Sequence, residues 1–110
     1  MIMNKLRHKI LGTLGKKSTS PIPATWDNKW RIVLIDLSEE RKSEREALRY
    51  LLKKAGFAMV KNSVWVSPYP FEHLLTNIKN DLGLSTELMI IVTENLDTET
   101  ENSFLKMFKN

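Results

Sequence analysis

The chain has 110 residues, of which 42% are hydrophobic and 27% are charged, as expected for one soluble globular domain. It contains no cysteine, which excludes disulfides, thiolate metal sites and a cysteine nucleophile. No apolar run approaches the ~20 residues that cross a bilayer, and the charged N-terminus lacks the apolar core of a secretory signal. The sequence therefore predicts a cytoplasmic protein with no membrane span.

The positive charge is concentrated at the N-terminus. The formal net charge is +4, from 17 Lys and Arg and 13 Asp and Glu. Residues 1–25 hold five basic residues and no acidic one. Residues 26–110 therefore hold 12 basic and 13 acidic residues, a net charge of −1. A basic arm on a near-neutral body favours a polyanionic partner, and a solubilising tail is the alternative. The five bases of the arm are Lys5, Arg7, Lys9, Lys16 and Lys17.

Composition also divides the chain into two regions. Apolar residues at near-helical spacing predict a short amphipathic helix over about 4–14. Residues 18–23 are rich in serine, threonine and proline, and two prolines within three residues favour an extended linker. We therefore expect an arm and linker at 1–25 and a folded domain at 26–110.

The first half of the domain predicts a strand, a helix and a pair of short strands. The almost continuous apolar run at 30–37 is typical of a strand buried on both faces. Ser38 can cap the next helix, whose apolar stripe runs to Ala55, and Gly56 ends it. Two short strands follow, at 57–60 and 64–67.

The second half predicts a helix, a strand and a terminal helix. An apolar stripe over 71–82 follows Pro70, which suits a first helical position. Residues 87–93 form the last strand, and Thr98 with Glu101 is a capping-box pattern. The order β-α-β-β-α-β predicts an α+β, ferredoxin-like fold with an antiparallel sheet, plus the basic arm and a short C-terminal helix or strand. The apolar tail also predicts a dimer interface at Phe104, Leu105 and Phe108.

Asp36 is the first candidate functional residue. It follows a hydrophobic strand, where a buried charge is costly unless it has a partner. It is a candidate Mg²⁺ ligand, because hard cations bind carboxylate oxygens, and a two-fold dimer would supply two copies. Alternatively, its side chain accepts hydrogen bonds from the loop or from the helix N-terminus.

A second candidate is the basic stripe formed on the first helix by Arg41, Arg45 and Arg49, at i, i+4 and i+8. It suits phosphate contacts along a nucleic-acid duplex. The alternative is a solvated face on which nearby glutamates pair with these arginines. Three tryptophans are present and could stack on bases, but packing is the favoured interpretation; they are Trp26, Trp30 and Trp65.

These residues together resemble a known template. The segments that carry it are Trp26-Asp27-Asn28-Lys29-Trp30-Arg31-Ile32-Val33, Ile35-Asp36-Leu37, Arg45, Leu48-Arg49, Gly56-Phe57 and Ser63-Val64-Trp65-Val66-Ser67-Pro68. They are similar to the central domain of PaaX-type phenylacetate-degradation repressors over residues 26 to about 96. That domain in turn resembles CRISPR-associated protein 2, the small ferredoxin-fold protein of spacer acquisition.

The resemblance implies a homodimer that handles double-stranded DNA. In CRISPR adaptation such a dimer joins the integrase subunit, and the DNA to be inserted lies across it. Some members are metal-dependent endonucleases, and their strand-end aspartate corresponds to Asp36, with Mg²⁺ as the metal. Lys61 stands where many relatives have glutamine, and Ile35 stands where tyrosine is frequent, which puts the nuclease activity in doubt.

The repressor branch implies a different function, that of a regulatory or dimerisation module. Repressors of this type carry a winged-helix domain before the central one, and residues 1–25 are too short to form it. The expectation from the sequence is therefore a CRISPR adaptation subunit, with the PaaX-type module as the alternative.

Overall fold

The computed structural model describes residues 22–61 and 63–108. In that part the elements are β1 (Trp30–Ile35), α1 (Lys42–Lys54), β2 (Ala58–Lys61), β3 (Val64–Ser67), α2 (Glu72–Asp81), β4 (Leu88–Thr93) and α3 (Thr98–Met107). The strand order is β2-β3-β1-β4, and each neighbouring pair is antiparallel. The predicted α+β fold with an antiparallel sheet and a C-terminal helix is thus confirmed. Most of the arm, including its predicted helix, lies outside the described residues.

Helices α1 and α2 cover one face of the sheet. The side chains of Val33 and Ile35 on β1 pack against buried leucines of α1 and against Leu75 and Ile78 of α2. Since successive side chains of a strand point to opposite faces, the intervening residues of β1 face the other way. This larger core matches the two apolar stripes that the sequence predicts.

Helix α3 covers part of the opposite face. Phe104 and Phe108 pack with Trp30 and Val66 in a second, smaller cluster, and half-buried Ile22, Trp26 and Leu96 lie against it. The sheet is therefore buried on both faces only near the start of β1. Of the helices in the described ranges, none combines the length and apolarity that crossing a membrane requires.

Element ends differ from the sequence expectations by one residue in β2 and at the start of β4, and three further differences concern the end of β1 and the helix starts. Strand β1 ends at Ile35, and a 3-10 turn at Glu39–Arg41 precedes α1; Ser38 flanks that turn without a side-chain capping bond. Helix α2 begins at Glu72, two residues after Pro70. The cap of α3 is Asp97 and not Thr98, because the Asp97 carboxylate accepts hydrogen bonds from both the amide and the hydroxyl of Thr100.

Candidate functional site

Asp36 lies at the end of the sheet where three segments meet. The amide of Ile35 donates to the carbonyl of Ser63 at 2.9 Å, and the amide of Asp36 donates to the carbonyl of Glu87 at 2.7 Å. The side chain of Asp36 is exposed. Its carboxylate has no hydrogen-bond or ion-pair partner among the described residues, so the backbone of Asp36, and not its side chain, holds the loop.

One chain does not complete a magnesium site around Asp36. Magnesium takes six oxygen ligands in near-octahedral geometry, and the described residues hold no group of three histidines or carboxylates that could bind a metal. Glu87 lies across the strand pair, but its carboxylate accepts a 2.7 Å hydrogen bond from the amide of Ser85. That bond, aided by the charges of Arg41 and Lys79, lowers the pKa of Glu87. A metal at Asp36 would take its remaining ligands from water, from a second copy or from a bound substrate.

Two arginines of the predicted basic stripe are engaged by glutamates of the same chain. Arg41 makes two bonds to the Glu44 carboxylate, at 2.5 and 2.9 Å, and a third to the Leu82 carbonyl. The guanidinium of Arg41 lowers the pKa of Glu44. Arg45 binds the Glu39 carboxylate at 3.3 Å. The local-pairing interpretation describes these two residues, and their contact with phosphates stays a prediction.

Arg49 is held less firmly than the other two. Its Nη1 lies 3.6 Å from the Glu46 carboxylate, and its Nε is buried with no hydrogen-bond partner among the described residues. Arg49 is thus the member of the stripe with unused donors.

The motif around Arg31 is a buried clamp. Only 1% of the Arg31 residue is exposed, although it stands in an apolar strand. Its guanidinium donates to the carboxylates of Asp27 and Glu72, with shortest distances of 2.6 and 2.7 Å. It also donates to the carbonyls of Lys29 and Pro68. Arg31 therefore ties the entry of the domain to the end of β3 and to the start of α2.

This clamp shifts the pKa values of its members. The hydrogen bonds from Arg31 lower the pKa of Asp27 to about 2 and also lower the pKa of Glu72. The same contacts raise the pKa of Arg31. The sequence analysis did not predict these ion pairs. The signal in the sequence was Arg31 itself, a charged residue within an apolar strand that is buried on both faces. Because its neighbours satisfy it, we assign Arg31 a structural role.

The tryptophans pack within the domain, as the favoured interpretation holds. Trp30 and Trp65 are buried in opposite cores. Trp26 lies edge-on to Trp30 with ring centroids 5.0 Å apart, and its indole N–H donates to the Lys29 carbonyl at 2.8 Å. None of these three rings is presented to a nucleobase.

The aromatic residues predicted for the dimer interface lie largely inside the chain. Phe104 and Phe108 are 5% and 7% exposed, and their rings lie 5.4 and 5.9 Å from the Trp30 ring. Leu105 is half-buried and lines a shallow groove with Ile22 and two polar residues of α3. The rings stabilise the contact between α3 and its own sheet, and the dimer interface stays a prediction.

An apolar part of the sheet remains uncovered beyond α3. We call it the open face, and its residues are Leu34, Val64, Met89 and Ile91. The register pairs Leu34 with both Val64 and Met89, and pairs Ile91 with the neighbouring Ile32. Met89 and Ile91 are 40% and 44% exposed, and Leu34 and Val64 are half-buried. The open face lies between the second cluster and the end of the sheet that carries Asp36.

Comparisons with known proteins agree with this architecture. A family model described as the PaaX protein central Cas2-like domain matches residues 23–105, which is most of the chain. Searches of curated proteins and of solved structures found no significant match. The matched range includes the Arg31 clamp, the whole sheet and most of α3. The chain therefore belongs to the family of the PaaX protein central Cas2-like domain.

Proposed function

We propose that this chain is a homodimerisation module of the PaaX type that holds basic segments against duplex DNA. The observation that carries the proposal is the open face, an apolar area of the sheet that neither α3 nor the two other helices cover. Contiguous exposed apolar surface on a small domain marks an interaction site. The four residues of the open face carry no charge, so burying their side chains desolvates no ion. Lys61, which pairs with Val64, lies at the margin of this area.

A second copy is the partner that best fits the open face. A two-fold axis sets the same patch against itself, so an apolar patch meets an apolar patch without a separately evolved complement. The edge strand β4 contributes Met89 and Ile91, and its centre has no charged residue to block association. Membership of a Cas2-like family supports the dimer, because the relatives that the sequence resembles act as homodimers.

DNA is the proposed polyanion because of the charge on the arm. A dimer carries two arms, each with five bases and no acid within residues 1–25. Two linked basic segments bind one duplex more tightly than either alone, because the second contact is intramolecular.

The dimer is tested by a pair of adjacent substitutions. Ile91 and Val92 are neighbours on β4 with similar exposures of 44% and 40%, but Val92 pairs with Arg31 and faces the helix side of the sheet. We expect Ile91→Lys to convert the dimer to a monomer in sedimentation equilibrium, because dimerisation would bury its ammonium group. Val92→Lys should leave the dimer intact.

Two results contradict this proposal. The first is a wild-type protein that stays monomeric at about 50 μM, a concentration at which an interface of micromolar affinity is mostly occupied. The second is equal dissociation by Ile91→Lys and Val92→Lys, which would place the contact on the β4 edge and not on the open face.

A second candidate function is that of a CRISPR adaptation subunit, which joins an integrase and has Mg²⁺-dependent endonuclease activity. The observation that favours it is the exposed Asp36 carboxylate, which has no partner among the described residues. When bound, Mg²⁺ would supply Lewis-acid activation of water for phosphodiester hydrolysis. Asp36 from each copy would be its protein ligand, and the departures at Ile35 and Lys61 weigh against this activity.

Asp36→Asn separates these two functions. If Asp36 binds a catalytic metal, wild-type protein should cleave duplex DNA with Mg²⁺, and the variant should lose that cleavage while it keeps its dimer mass and DNA affinity. Gel analysis of a labelled duplex, with and without a chelator, measures this. A wild type that never cleaves, or a variant that cleaves equally well, excludes the nuclease role.

A further inference from the structure

The body of the domain is electrically polarised along its sequence. From residue 47 to residue 71 there are four bases and no acid, which are Arg49, Lys53, Lys54 and Lys61. From residue 80 to residue 105 there are six acids and no base, which are Asp81, Glu87, Glu94, Asp97, Glu99 and Glu101. The net charge of −1 over residues 26–110 is therefore unevenly distributed, with a basic region at 47–71 and an acidic region at 80–105.

The fold places part of these two regions at opposite edges of the sheet, which are β2 and β4. The basic residues lie on the second half of α1 and on β2, which contact each other. Asp81 ends α2, which packs on β4, and Glu87 and Glu94 flank β4. The remaining acidic residues lie on or just before α3, which packs on β1 and β3. The edge at β2 is thus basic and the edge at β4 is acidic. We call the first the basic edge, defined by Arg49, Lys53, Lys54 and Lys61.

We propose that the basic edge is the surface of the body that contacts the phosphate backbone of duplex DNA. This inference rests on the proposed function and assigns the position of the DNA on the module. The basic edge differs from the basic stripe predicted from the sequence. Arg49 belongs to both sets, whereas Arg41 and Arg45 pair with glutamates of the same chain.

The bases of this edge are available to an anion. Lys53 and Lys61 are exposed, and neither has an ion-pair partner among the described residues. The guanidinium of Arg49 makes one long contact, 3.6 Å to the Glu46 carboxylate, and the Lys54 ammonium lies 5.7 Å from the centre of the Tyr50 ring. Arg49 and Lys53 stand at i and i+4, where like charges destabilise a helix. A phosphate between them would remove that repulsion.

Duplex DNA fits this edge better than a single strand does. Proteins that bind single strands without sequence preference use aromatic rings as stacking platforms, and the three tryptophans are packed within the domain. The exposed Tyr50 ring on this edge already contacts the Lys54 ammonium. A group of basic side chains with one such ring beside it suits backbone contacts, which position a duplex and carry no sequence information. The acidic edge on the other side repels phosphates and so orients the duplex toward β2.

Two charge-reversal variants of the full chain test the inference. Lys53→Glu with Lys54→Glu alters the basic edge, and Lys79→Glu with Lys106→Glu makes the same change in net charge on α2 and α3, toward the acidic side. The affinity for a fluorescent 30-bp duplex is measured by anisotropy across a salt series. Each phosphate contact contributes about 0.9 to the slope of log K against log salt. We expect the basic-edge variant to lower that slope by about 1.8, and the control variant to change it by less than about 0.5.

The other outcomes separate failure of this inference from failure of the proposed function. If both variants weaken binding equally, net charge and not the basic edge determines affinity, and the inference is overturned. The same holds if deletion of residues 1–20 abolishes binding while the basic-edge variant binds like the wild type, or if a single strand binds more tightly than the duplex. A wild type that binds no DNA at low salt overturns the proposed function itself.

Discussion

Replacing Arg31 by methionine is expected to destabilise the domain by about 1–3 kcal/mol, the range for leaving a buried acceptor without its hydrogen bond. The cost stays in this range because the side chains of Asp27 and Glu72 are 43% and 26% exposed and can be hydrated. Methionine fills much of the space that the arginine stem occupies. The substitution leaves the carboxylates of Asp27 and Glu72 without their donor, and it leaves the buried Pro68 carbonyl without the 3.2 Å bond from Nη1. Urea denaturation at pH 7 measures the loss.

The pH dependence of this loss follows from the lowered pKa values. Asp27 has a pKa of about 2 in the folded domain, below its usual 3.8, and the pKa of Glu72 is also lowered. A carboxyl with a depressed folded pKa contributes stability above its unfolded pKa and loses that contribution as pH falls toward the folded value. The melting temperature of the wild type should therefore fall between about pH 5 and pH 2. The gap between wild type and Arg31→Met should narrow over the same range.

Arg45→Met is the matched control. Arg45 is also an arginine paired with a carboxylate, but its partner Glu39 is exposed and the contact is 3.3 Å long. Exposed pairs contribute about 0–1 kcal/mol, so this variant should unfold near the wild-type urea concentration. If Arg31→Met were as mild as Arg45→Met, or if its gap to wild type were the same at pH 7 and pH 2.5, the clamp would not stabilise the domain as argued.

The fold was predictable from the sequence because local patterns specify each of its elements. The apolar run before Asp36 and the two helical stripes ending at Gly56 and Gly83 imply the β-α-β-β-α-β order without any knowledge of long-range contacts. Both glycines have positive φ, 89° and 65°, as helix ends of this type require. The arm prediction at 1–25 and the domain boundary stay predictions.

The site was less predictable because its properties depend on contacts between distant residues. Glu72 reaches Arg31 from 41 positions away, and no local pattern shows that the arginine has a partner. The pairing of Arg41 and Arg45 with glutamates was one of two open interpretations, and only side-chain geometry favours it. The basic and acidic stretches are visible in the sequence. That they lie at different edges of the sheet follows only from the strand order β2-β3-β1-β4.

The apolar C-terminal residues also show that sequence periodicity does not identify the surface against which a helix packs. Periodicity indicates that Phe104 and Phe108 lie on one side of a helix, but it does not indicate whether that side meets the chain's own sheet or a second copy. In the structure the two rings pack on Trp30 of the same chain. The proposed dimer therefore uses the open face, which includes Met89 and Ile91.

Phe104→Ala distinguishes these two arrangements by the kind of loss that it causes. Truncating a buried phenylalanine costs about 3–5 kcal/mol, because burial is lost and a cavity remains. If Phe104 belongs to the core under α3, that loss should appear in urea denaturation and should be independent of protein concentration, while the folded variant remains a dimer. Leu105→Ala, at a half-buried neighbouring position, should cost less than about 1.5 kcal/mol, because the Leu105 side chain buries less apolar surface than a core residue does.

A different result would make the Phe104 ring an interface residue. In that case Phe104→Ala yields a monomer whose unfolding matches that of wild-type protein diluted below its dissociation constant. In that case the open face is not the main contact between copies.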